Sequence, residues 1–124
     1  MKNARTIKRI AGTDIVEVRY AGEITYALRI SAIEALAQLG PPGSLQRLLL
    51  NYTSAWPTTD PDPPAVAAFG DRLGRIAFLR GARIALLNAP EDVEAQAVTI
   101  SEPAGLEFRR FRDRTEAIAW LGGT

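Results

Sequence analysis

Two polar stretches hold the residues best equipped for chemistry: Asn51-Tyr52-Thr53-Ser54-Ala55-Trp56 and Asn88-Ala89-Pro90-Glu91-Asp92. Each directly follows an apolar run, Leu48-Leu49-Leu50 in one case and Ile84 to Leu87 in the other. Short continuous apolar runs read as strands buried on both faces. In open α/β sheets, ligands collect just beyond the carboxyl ends of such strands. Asn51, Thr53, Ser54 and Asn88 offer amide and hydroxyl groups there, and Tyr52 and Trp56 offer flat apolar surface. This set suits a protein partner, a small apolar ligand or a lipid head group. The competing reading is structural: Trp56 caps the edge of a core while Asn51 and Asn88 satisfy loop backbone. The helix start at Pro90 exposes free amides to an anion, but Glu91 and Asp92 would oppose one.

The sequence contains no histidine and no cysteine. Cys/His metal sites and thiol chemistry are therefore excluded, and so is a Ser-His triad in its usual form. Asp60, Asp62 and Asp71 lie near Ser54 in sequence, but carboxylates beside prolines are common turn formers. Gly70-Asp71-Arg72-Leu73-Gly74 falls within a helical pattern and lacks the lysine of a phosphate loop. The expectation is a non-catalytic protein with no cofactor and no metal.

Arg109, Arg110, Arg112 and Arg114 are dense, yet four acids share the last 24 residues with them, so a solvated, salt-bridged edge is expected rather than a nucleic-acid surface. A formal net charge of +1 agrees. No apolar run approaches the roughly 18 residues of a membrane span. The basic start MKNARTIKRI is not followed by a signal-like apolar segment, so a cytoplasmic protein is expected.

The elements that must position these residues follow from periodicity. With 124 residues, 47% of them hydrophobic, the chain suits a single domain, 1–124, with its own core. Thr6 to Ile10 reads as a weak strand. Ile15 to Tyr20 alternates, with Val16, Val18 and Tyr20 on one face and Glu17 and Arg19 on the other, half exposed. Ala21-Gly22 ends it. Ile24 to Leu39 has helical period, with Arg29 at the margin of its apolar arc, and Gly40-Pro41-Pro42-Gly43 stops it. Leu45 to Tyr52 is a central strand. Asn51 to Pro64 reads as a long, proline-rich loop, the kind that often carries function. Ala65 to Leu79 is a second helix, in which Gly70 and Gly74 allow close packing or simply weaken it. A third helix opens at Pro90. Leu106 to Phe111 is the last strand. Asp113 with Glu116 caps a terminal helix whose Ala117, Ile118, Trp120 and Leu121 face inward.

The order β-β-α-β-α-β-α-β-α describes an α/β fold with a mainly parallel sheet covered by helices. Four strings in that order resemble the STAS superfamily, and more closely its stand-alone SpoIIAA-like branch: IVEVRYAGEIT (15–25), LQRLLLNY (45–52), RLGRIAFLRGARIALL (72–87) and FRDRTEAIAWL (111–121). The resemblance implies a SpoIIAA-like fold and a regulatory, protein-binding role, with self-association as a homodimer. It also implies a phosphorylatable hydroxyl where the helix after the central strand begins. Ser54, Thr58 and Thr59 are the hydroxyls in that region, although the Asp-Ser-Ser-Gly-like setting is absent. Ser54 and Thr58 are thus the candidate phosphorylation sites, and Asn51, Tyr52, Thr53, Ser54, Trp56 and Asn88 the candidate partner or ligand residues.

Overall fold

A computed structural model describes residues 4–40, 44–57, 63–73, 81–90 and 105–122. Among these residues five strands form one sheet: β1 (Ala4–Arg9), β2 (Val16–Ile24), β3 (Arg47–Pro57), β4 (Arg83–Leu87) and β5 (Glu107–Phe111). They lie side by side in sequence order. β1 and β2 are antiparallel, as a tight Gly12-Thr13-Asp14 turn dictates, and β2 through β5 are parallel. The helices among the described residues are α1 (Tyr26–Ala37), α2 (Pro63–Leu73) and α3 (Arg114–Leu121). The expected mainly parallel α/β architecture is therefore present. The helix expected after Pro90 and the hydroxyl of Thr58 lie outside the described residues.

Sequential strand order explains the layering. Right-handed crossovers that always advance in one direction leave their helices on the same face. α1 packs against α2 there. Beneath them Val16, Val18, Tyr20, Leu48, Tyr52, Ile84 and Leu86 form the larger core. α3 follows the last strand and folds back across the opposite face, onto β3 and β4. It buries Ala117 and Leu121 against Ile15, Leu49, Ala85 and Leu87. Each fully buried aliphatic side chain contributes roughly 1.5–3 kcal/mol. Both central strands are apolar on both faces, which is why their sequence runs without alternation.

Local chemistry sets the ends. Thr25 caps α1, its hydroxyl accepting from the Leu28 amide at 3.1 Å. β2 continues through Gly22, at φ 81°, as far as Ile24, beyond the Ala21-Gly22 stop read from sequence. Asp113 caps α3 as expected, its carboxylate accepting from the Thr115 amide at 3.2 Å. The far end of α3 is held by Arg83, which donates to the Trp120 carbonyl at 3.1 Å and lies over the indole ring.

Two expectations about charged residues are corrected. Arg29 is 4% exposed rather than marginal. Its guanidinium sits 4.8 Å from the Tyr26 ring centroid and 5.7 Å from that of Phe69. α2 covers the side of α1 that the helical period left open, and the cation is sheltered by aromatic faces. Glu17, read on an exposed strand face, is 1% exposed. That face carries α3, whose small amphipathic stripe gave no warning of how much it covers.

Candidate functional site

β3 is longer than its read boundary. Asn51 to Trp56, expected largely as loop, are strand residues paired with β2. The pairing skips once: Arg19 faces Asn51 and Ala21 faces Ser54, so β3 spends three steps where β2 spends two. This is a β-bulge at Tyr52-Thr53, a device that re-aims side chains next to sites. Asn51 supports it. Its Oδ1 accepts from the Thr53 amide at 3.0 Å and from the Thr53 hydroxyl at 2.6 Å.

From that point a polar chain runs in both directions. Asn51 is 5% exposed, and its Nδ2 donates to Glu17 Oε2 at 3.0 Å. Glu17 Oε1 accepts from Arg114 at 2.9 Å, and Oε2 accepts also from Arg19 at 3.4 Å. On the other side the Thr53 hydroxyl accepts from Asn88 Nδ2 at 3.0 Å. Asn88 directly follows β4 with φ 55°, a left-handed conformation that asparagine tolerates better than most residues. Its amide donates to the Phe111 carbonyl at 2.9 Å. One network thus joins β2, β3, the end of β4 and the start of α3.

Burial pushes the Glu17 carboxyl up, but hydrogen bonds from Arg114 and Asn51 and the nearby charges of Arg114 and Arg19 outweigh it. The carboxyl is held below its ordinary value. Glu17 is therefore an anion at neutral pH, pinned from three sides beneath the surface.

Above this network lies a groove of about 380 Å³, walled by Arg19, Thr53, Ser54, Asn88 and Arg112 and by the capping residue Asp113. A second concavity of about 530 Å³ shares Asn88 and Arg112 and adds Arg110, Phe111 and Glu116. Together they run from the middle of β2 and β3 to the carboxyl ends of β4 and β5. Among the described residues no group of three or more His, Cys, Asp or Glu side chains is placed to hold a metal ion. No helix among them is long and apolar enough to cross a membrane.

The candidate residues separate into two groups. Asn51, Thr53 and Asn88 are joined directly, and Ser54 lines the same groove. Tyr52 points to the opposite face, where it stacks on Tyr20 with ring centroids 5.0 Å apart. Trp56 sits farther along β3, opposite Glu23, and is 47% exposed. Sequence reasoning missed Glu17, Arg19, Arg112 and Arg114 as site residues. Their charges appeared to cancel within local sequence, whereas the pairing that matters spans the whole chain.

The fold is SpoIIAA-like. An uncharacterised protein of the DUF3478 family with a SpoIIAA-like fold, from Shewanella loihica PV-4, superposes with a TM-score of 0.60 at 21% identity, covering 96% of this chain and 93% of that one. The anti-sigma factor antagonist SpoIIAA in its unphosphorylated form aligns with a TM-score of 0.47 at 18% identity, over 98% of this chain and 100% of that one. No protein-family model matches the sequence, and no curated protein matches it.

Proposed function

We propose that this protein is a non-catalytic regulatory module that docks a protein partner in the groove running from the middle of β2 and β3 to the carboxyl ends of β4 and β5. One observation carries the reading: a buried carboxylate, Glu17, orders the groove from below through Asn51, Arg19 and Arg114. A buried ion-pair network is a weak device for stability, since apolar side chains of similar size would serve as well or better. Its worth lies in fixing donors at a surface. The groove is open and polar, as transient docking surfaces are. The SpoIIAA-like fold suits such a role. A pocket for an apolar ligand has less support, because Tyr52 is already committed to the core.

A photo-crosslinking residue placed at Ser54, with a control at Glu34 on the exposed side of α1, tests the assignment in cell extract. Discrete adducts from Ser54 and none from Glu34 are expected. Equal labelling from both positions, or none from either, would overturn it.

A further inference from the structure

We infer that the groove is an oxyanion site for a phosphate group, carried by whatever docks there or met as a free ion. The inference rests on reading the groove as a docking surface and names the chemistry it selects. Three arginines line the groove from different elements: Arg19 from β2, Arg112 from the turn after β5, and Arg114 from the first position of α3. Two of them are not free to drift. Glu17 grips Arg114 through one oxygen and Arg19 through the other, while the side chains of both remain 42% and 48% exposed. Each guanidinium carries five N–H donors, so a single ion pair leaves donors on its outer side.

Asn88 adds to this. One amide proton is spent on Thr53, and Asn88 itself is exposed in the groove wall. The neighbouring Ser54 hydroxyl is exposed on the same wall. Thr53 itself is committed, accepting from Asn88 and donating to Asn51. Donors arriving from three or more directions match a tetrahedral dianion better than a planar carboxylate, which presents two coplanar oxygens. Opposing charge is present and limited. Asp113 lines the groove but turns its carboxylate to the Thr115 amide, and Glu116 belongs to the adjoining concavity. Across both concavities Arg19, Arg110, Arg112 and Arg114 face Glu17, Asp113 and Glu116, leaving a net charge of +1 before any ligand arrives.

Amide chemical-shift titration of the full chain with inorganic phosphate, and separately with O-phosphoserine, tests this. Saturable shifts confined to Thr53, Ser54, Asn88 and Arg112 are expected. Arg112→Gln should weaken binding at least tenfold, and Arg109→Gln, outside the groove wall, should leave it unchanged. Tighter binding of O-phosphoserine than of inorganic phosphate would assign an ester-borne group, and equal binding the free ion. Shifts that never saturate, or equal losses in the two arginine variants, would overturn the oxyanion assignment. Adducts from Ser54 without phosphate binding would overturn it while leaving the docking surface intact.

Discussion

Arg114 donates to the Oε1 of Glu17 at 2.9 Å, joining the first residue of α3 to the second residue of β2 across 97 positions of sequence. Removing either partner has unequal consequences. Arg114→Ala leaves a buried anion with one donor fewer and should cost about 1–3 kcal/mol, the usual penalty for an unmet buried polar group. Glu17→Leu removes the acceptor of the buried Asn51 amide as well as of Arg19 and Arg114, and should cost more. Urea unfolding of the two single variants and the double variant measures the coupling. An Arg114→Ala protein as stable as the parent would show that the pair contributes nothing.

The depressed acidity of Glu17 links stability to pH. Its folded-state value lies below its unfolded value, so its contribution is complete above the unfolded value and is lost as pH falls through the folded one. Asp14, lowered chiefly by its hydrogen bond from Arg47, acts in the same direction. The urea midpoint should therefore decline on acidification below about pH 5, where carboxylates begin to protonate. In Glu17→Gln the decline should be shallower. An identical pH profile in that variant would refute the assignment.

Tyr20 titrates at the other extreme. Burial pushes its hydroxyl up to about 12, so the neutral form is the one the fold accommodates. A raised value means that stability is present below the unfolded-state value near 10 and is lost as pH rises toward the folded one. Near-ultraviolet titration of tyrosinate should show a late step that is missing in Tyr20→Phe.

Asp113→Ala removes the cap of α3 and should cost about 1 kcal/mol. Because α3 carries Arg114, the amide of Asn51 should also lose protection from hydrogen exchange. Asp113→Asn, which keeps a capping oxygen, should restore most of both.

Leu121→Ala tests whether α3 is integral to the second core. Leu121 is fully buried against that face, and the truncation should cost about 2–5 kcal/mol by calorimetry or denaturant unfolding.

Much of the fold was legible because its signals are local. The apolar runs at Leu48 and Ile84, the Asp113 cap and the Gly12-Thr13-Asp14 turn each report on a few neighbouring residues. The site was less legible because its determinants are not local. Asn51, Thr53 and Asn88 were proposed from where strands were expected to end, yet β3 runs on to Pro57 and holds Asn51 and Thr53 within it. Tyr52 looked equivalent to its neighbours because the segment read as loop; as strand, ordinary alternation sends Tyr52 to the face opposite Asn51. Glu17 was misread because its burial depends on a helix that begins 97 positions later.

The bulge in β3 also gives that strand a phase mark. Side chains of an unbroken strand alternate strictly, yet Tyr52 and Ala55, an odd number of positions apart, both meet the larger core. The strand is thus two half-strands half a period out of step, spliced at Thr53. Excising Thr53 would erase the splice while preserving parity on either side of it: Tyr52 and Ala55 would keep their core, and the pairing with β2 would become regular. The Asn51–Thr53–Asn88 bridge would vanish with it. A one-residue deletion is therefore a clean way to separate the scaffold from the groove it supports.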